Sequence, residues 1–143
     1  MRMLGLIFIA IILMSLKAGG DAMKLICHQW VQVSVKPYGS AETQPLPNGS
    51  RTKLSFIQNG AFERIGSANF TKVISSKGKW VFNYDHTKIG FQMRGTRGAI
   101  TTDIEIIKLT TDSLILRHGS YYQKENKRSK VYVYDDSYFV RGR

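Results

Sequence analysis

The spacing of apolar residues after position 28 constrains the fold more than any other feature. β-Branched and aromatic residues recur there in short runs, and Asn, Gly, Asp, Ser or Pro separates the runs. Alternation of apolar and polar residues is typical of a strand with one buried face, and no long stretch shows the period of an amphipathic helix. The sequence therefore predicts an all-β domain.

The runs predict about eight or nine strands. They are expected over residues 28–36, 52–58, 61–65, 78–84, 88–94, 101–109 and 113–118, near 121–122, and in a closing hairpin of 131–134 with 138–140. The connections are mostly short, which favours antiparallel pairing of successive strands and closure into a barrel without exposed edges. We expect an antiparallel up-and-down barrel of about eight strands.

Three connections are predicted in more detail. Asn59 and Gly60 favour a type I′ hairpin turn because both residues tolerate positive φ. The polar stretch 66–76 is expected to be a connection rather than a strand. Asp135 and Asp136 are adjacent acidic residues and are expected to form a turn.

The amino-terminal residues predict export. Arg2 precedes an apolar run from Met3 to Leu16, and small residues follow up to Ala22, which is the layout of a secretory signal peptide. We expect residues 1–22 to be the signal peptide, residues 23–143 to form the single barrel domain, and the protein to reside in the periplasm or cell envelope. An uncleaved membrane anchor is the alternative.

The composition indicates what stabilises the domain and which class of partner its charge favours. Cys27 is the only cysteine, so no internal disulfide can form and core packing must stabilise the domain. The formal net charge is +11, which favours anionic partners. For an exported protein we expect these to be lipid headgroups or acidic glycans rather than nucleic acid.

Four short motifs resemble those of the lipocalin-like domain proteins of bacterial envelopes. Each motif combines aromatic or aliphatic residues with a glycine or a turn, and the resemblance covers nearly all of the predicted mature chain. The motifs are Ile26, His28 and Trp30, with His28 where that family has glycine; Phe56, Gly60 and Phe62; Gly78, Lys79, Trp80 and Phe82; and Ile106, Ile107, Lys108, Leu109 and Thr110 followed by Leu114 and Leu116. The resemblance implies a β-barrel with an apolar interior and implies no particular ligand.

Apolar residues on the inward-facing phases of the strands are the candidate ligand contacts. They would line a cavity for one small hydrophobic or amphiphilic molecule, with Arg94, Arg97 or Arg117 at the rim for an anionic head. The candidates are Trp30, Phe56, Phe62, Trp80, Phe82, Tyr84, Phe91, Met93, Ile106 and Leu116. The same side chains could instead fill the barrel, since small barrels often have no void.

A second hypothesis is a non-catalytic interaction module with a filled core. Lys124, Lys127, Arg128 and Lys130 lie close together and could dock on an anionic envelope surface or a protein partner. Such binding would weaken as salt rises, whereas binding of an apolar ligand would depend little on salt.

No motif points to catalysis. His28, His86 and His118 are far apart in the sequence, without the spacing of a zinc site. Neither a nucleophile elbow nor a phosphate-binding glycine loop is present. We therefore expect a monomeric protein without enzymatic activity, metal or cofactor.

Overall fold

The computed structural model describes residues 21–68, 72–95, 98–123 and 130–143, with side chains described outside residues 67–74, 94–100 and 122–129. A short helix over residues 21–26 precedes the strands. The strands of the described residues are β1 (Gln29–Lys36), β2 (Gln44–Pro45), β3 (Lys53–Phe56), β4 (Ala61–Ala68), β5 (Lys72–Phe82), β6 (Lys88–Gly95), β7 (Gly98–Leu109), β8 (Ser113–Gln123) and β9 (Lys130–Arg141).

The strands form one closed antiparallel barrel. Each strand from β3 to β8 pairs with the next along the chain, and β1 pairs with both β3 and β9. The short strand β2 lies beside β1 as an addition to the eight barrel strands. Pairing between β1 and β9 removes the free edges that an open sheet would present. The prediction of an all-β, up-and-down barrel of about eight strands is confirmed.

One end of the barrel is filled by side chains, and we call it the closed end. It is the end at which β1, β4, β6 and β8 begin, and the helix over residues 21–26 lies before β1. Ile26 and Trp30 are fully buried there. The Trp30 indole Nε1 donates a hydrogen bond of 2.9 Å to the Ile26 carbonyl oxygen, so burial leaves this donor satisfied. Met23 and Cys27 pack against the same core.

Three predicted connections and one predicted strand differ from the structure. Of the stretch 66–76, residues 66–68 lie in β4 and residues 72–76 in β5, whereas 69–71 lie outside the described residues. Tyr121 continues β8, and Asp135 and Asp136 lie inside β9. Pairing between long neighbouring strands supplies hydrogen-bond partners to these polar residues, which local composition does not reveal. The type I′ turn is also wrong, because Gly60 has a φ of 84° whereas Asn59 does not have positive φ. The hydrogen bond from Ile57 N to Ala61 O instead closes a three-residue loop with glycine in its last position.

The turn between β5 and β6 is held by side-chain hydrogen bonds. Asp85 Oδ1 accepts hydrogen bonds from Asn83 Nδ2, Thr87 N and Thr87 Oγ1. Asn83 Oδ1 accepts a further bond from Lys88 N. These bonds favour the ionised carboxylate, and the hydrogen bonds from Thr87 are the main reason that the pKa of Asp85 lies below its usual value.

We expect Asp85 to make the turn sensitive to acid. A carboxyl with a lowered folded-state pKa adds stability above the unfolded-state pKa, and this contribution is lost as pH falls through the folded value. NMR titration should therefore find Asp85 ionised below the usual midpoint for aspartate, about 3.9. The Asp85→Asn variant should lose less stability than the wild type on acidification. An Asp85 titration midpoint at or above the usual value contradicts this expectation.

Candidate functional site

The closed end owes its dense core to aromatic residues that face one another across neighbouring strands. Phe56 pairs with Phe62 across β3 and β4, and Trp80 pairs with Phe91 across β5 and β6. The Phe56 and Trp80 ring centroids are 5.3 Å apart, and those of Phe62 and Phe91 are 4.7 Å apart. Trp80 Nε1 donates to the Ile57 carbonyl oxygen at 3.0 Å. These contacts form the floor of the interior.

Above this floor lies a cavity of about 380 Å³. Much of its wall is apolar, because strand alternation directs hydrophobic side chains from six strands toward the barrel axis. These residues are Leu54, Phe62, Phe91, Met93, Ile104, Leu116 and Phe139. Such a volume lies within the range of about 300–1,000 Å³ that is typical of small-molecule pockets.

Polar side chains share the cavity wall with these apolar ones. Thr102 lies across from Phe91, Ser137 from Leu116 and Gln32 from Phe139. Thr52 also lines the cavity, and Gln32 Nε2 donates to Ser137 Oγ at 3.0 Å. Arg64 and His118 complete this wall and are solvent-exposed. Of the described residues that line the cavity, Arg64 carries the one permanent positive charge, and none is a carboxylate. The interior thus changes from apolar to polar and cationic toward its mouth.

The candidate ligand contacts fall into three groups. Phe62, Phe91, Met93 and Leu116 line the cavity. Trp30, Phe56 and Trp80 are buried in the core, and Phe82 and Ile106 pack against it. Filled and open interiors therefore coexist, one at each end of the barrel.

Tyr84 does not line the interior, and its assignment there is wrong. Strand β5 ends at Phe82, so the alternation that places Trp80 and Phe82 inside stops before position 84. Tyr84 lies in the following turn, where its side chain is fully exposed.

The sequence did not predict the polar cavity residues, because only apolar residues on the inward-facing phases were taken as candidates. Arg64 lies two positions after Phe62 in β4, and His118 lies two positions after Leu116 in β8. Residues two apart in a strand point to the same face, so both polar side chains share the inward phase of the apolar ones. Extending the alternation through polar positions would have found them.

Arg117, proposed for the rim, faces outward instead. Its Nε and Nη2 donate to the two carboxylate oxygens of Asp136 at 2.7 and 2.9 Å. It points outward because it lies next in sequence to Leu116, whose side chain points inward. Arg97 lies outside the described residues, and so does the side chain of Arg94.

The basic cluster is described at one residue only. Lys124, Lys127 and Arg128 lie outside the described residues, whereas Lys130 begins β9 and is exposed. Docking through this cluster stays a prediction.

Other candidate chemistry is sparse in the part of the chain that the structure describes. No group of three or more His, Cys, Asp or Glu side chains there could hold a metal ion. The Cys27 thiol has a pKa raised by burial, which disfavours the reactive thiolate. Within the described ranges, no helix has the length and hydropathy needed to cross a membrane. The signal-peptide prediction falls almost wholly on residues 1–20, outside the described part.

Two solved structures are similar to this barrel. One is a lipocalin-like protein from Bacteroides uniformis, with 14% identity, a TM-score of 0.52, and coverage of 82% of this chain and 98% of that protein. The other is an uncharacterized protein from Bacteroides eggerthii, with 11% identity, a TM-score of 0.50, and coverage of 82% and 99% respectively. No protein-family model and no curated protein sequence matches the chain. The protein therefore has a lipocalin-like fold, as its short motifs predict.

Proposed function

We propose that this protein is exported and binds one small amphiphilic molecule, without catalysis, in the cavity of its barrel. The observation that carries this proposal is the change in the cavity wall from apolar side chains at the floor to Arg64 and His118 at the mouth. An amphiphile would place its apolar part against Phe62, Phe91 and Leu116 and its head at the mouth.

Burial of the apolar part supplies the affinity. Removing apolar surface from water contributes roughly 25 cal/mol per Å², and the rigid floor of packed aromatic rings limits the loss of conformational entropy on binding. Phe62, Phe91 and Leu116 are each about 4% exposed, so the protein loses little side-chain freedom when a ligand arrives.

The mouth of the cavity selects an anionic head. The Arg64 guanidinium can donate paired hydrogen bonds to a carboxylate or phosphate, and Gln32, His118 and Ser137 offer further polar contacts. The cavity lining contains no carboxylate among the described residues, so no negative side chain opposes this head there. The net charge of +11 adds long-range attraction.

Thermal unfolding of the purified protein with three matched amphiphiles tests the proposal. Dodecanoate should raise Tm most, dodecanol less and dodecyltrimethylammonium least, because only the head differs. Equal Tm shifts for all three would reject the selective mouth. No shift with any of them would reject the proposal as a whole.

Replacing Arg64 tests the mouth separately from the floor. Arg64→Gln should weaken dodecanoate binding about three- to tenfold, because the arginine is exposed and solvent screens its charge. Dodecanol binding should change little. The control is Arg143→Gln, which removes an exposed arginine at the carboxyl end. Isothermal titration calorimetry measures both affinities, and an equal loss of dodecanoate affinity in the two variants would contradict the role of Arg64.

A further inference from the structure

The outer surface of the barrel carries a row of four tyrosines, three of them exposed, that do not line the cavity. Tyr121 and Tyr132 face each other across β8 and β9, with ring centroids 4.9 Å apart. Tyr132 and Tyr134 are 5.9 Å apart, and Tyr134 and Tyr38 are 5.4 Å apart. Tyr121, Tyr38 and Tyr132 are 70%, 51% and 39% exposed. We call these four residues the tyrosine row.

Gly119 fixes the position of one ring in this row. A side chain at position 119 would overlap the Oη, Cζ and Cε2 atoms of Tyr132. The Tyr132 ring therefore lies against the backbone of β8, in the space that a Cβ would fill, while 39% of the residue stays exposed to solvent. A ring supported by the sheet in this way offers a preorganised stacking surface.

A groove of about 190 Å³ runs beside this ring. Tyr132 and Gly119 form one side, and the charged residues Lys88, Asp103, Glu105 and Arg117 complete it. The groove thus combines an aromatic surface with hydrogen-bond donors and acceptors.

Arg117 is held in place within the groove. Besides its two bonds to Asp136, its guanidinium carbon lies 4.0 Å from the centroid of the Tyr134 ring. Because Asp136 neutralises Arg117, the remaining charges of the groove are Lys88 against Asp103 and Glu105. Among the described residues that line the groove, the basic side chains therefore do not outnumber the acidic ones, although the whole chain is basic.

We propose that the groove and the tyrosine row bind a neutral glycan. A sugar ring has an apolar C–H face that can stack on tyrosine and hydroxyl groups that can hydrogen-bond to Lys88, Asp103 and Glu105. Asp103 and Glu105 repel a polyanion. Among the described residues that line the groove, none has the aliphatic side chain that a lipid chain requires. This inference concerns a surface separate from the cavity and does not depend on the proposed function.

Calorimetric titration of the whole protein tests the proposal with defined probes. These are the hexasaccharides of cellulose, xylan, mannan and chitin, with a heparin hexasaccharide as the anionic comparison. At least one neutral probe should bind, and Tyr132→Ala should weaken it roughly tenfold. Tyr84→Ala is the control, because it removes a fully exposed tyrosine from a turn outside the tyrosine row.

A second variant separates binding from folding. Asp103→Asn is nearly isosteric on an exposed position and should also weaken the neutral probe, with an unchanged circular dichroism spectrum. The proposal is overturned if no neutral hexasaccharide binds, if heparin alone binds, or if Tyr132→Ala and Tyr84→Ala lose affinity equally. Dodecanoate binding measured alongside shows whether the cavity is intact, so failure of one site is distinguishable from failure of the other.

Discussion

Thr102→Trp is expected to weaken dodecanoate binding at least about 100-fold. Thr102 lines the cavity and faces Phe91 across β6 and β7. An indole there would occupy space that the ligand chain needs. A buried tryptophan side chain covers roughly 150–250 Å². Loss of about 150 Å² of apolar ligand contact removes about 4 kcal/mol of binding free energy at roughly 25 cal/mol per Å². Titration calorimetry measures the loss.

The matched control is Thr101→Trp. Thr101 is the same residue type on the same strand, but it is exposed and pairs with Gln92 on the outer face. This variant should bind dodecanoate as the wild type does, and both variants should unfold cooperatively near the wild-type Tm. Equal affinities of the two variants would place the ligand outside the cavity.

Arg117→Met is expected to lower the free energy of unfolding by about 3 kcal/mol, the low end for breaking a buried ion pair. The Asp136 side chain is 10% exposed and that of Arg117 is 25% exposed. Methionine fills part of the arginine volume but leaves the Asp136 carboxylate buried without its bidentate partner. Urea unfolding should show the loss, and Tm should fall by about 10 °C.

The double variant Arg117→Met with Asp136→Leu separates the ion pair from general damage to the strands. Replacing both partners by apolar groups removes the unpaired charge, so most of the lost stability should return. A double variant less stable than Arg117→Met would contradict this account, because it would show that the unpaired Asp136 carboxylate is not what destabilises the single variant. Thr101→Trp serves here as an outer-face change without an ion pair.

Alternation in the sequence was sufficient to predict the barrel and much of its inward face. Phe91 and Leu116 lie in runs where every second residue is apolar, and a one-residue shift would have exposed both. Antiparallel order followed from short connections, which leave successive strands no other neighbour.

Strand length and pairing with distant residues were beyond local patterns. Asp136 resembles a turn residue in sequence, yet Arg117 on the neighbouring strand holds it inside β9. Tyr84 is the converse case. It alternates in sequence with the inward-facing Trp80 and Phe82, but the hydrogen-bonded turn after Phe82 places it in solvent. The first error arises where a contact between neighbouring strands decides the conformation, and the second where a local turn ends a strand.

Composition also could not predict which part of the interior is open. Trp30 and Trp80 fill one end because the helix over residues 21–26 and the loop at Ile57 accept their indole hydrogen bonds. The other end has the polar residues Arg64 and His118 on the same inward phase. Only cross-strand register brings these polar residues together around one space.

A crystal structure with 12-bromododecanoate tests the central claim most directly, because anomalous scattering locates the bromine at the end of the ligand chain. We predict one bromine peak inside the barrel, between Phe62, Phe91 and Leu116, with the carboxylate near Arg64. A bromine peak on the outer surface, or an interior filled by protein side chains with no room for the ligand, would contradict the claim.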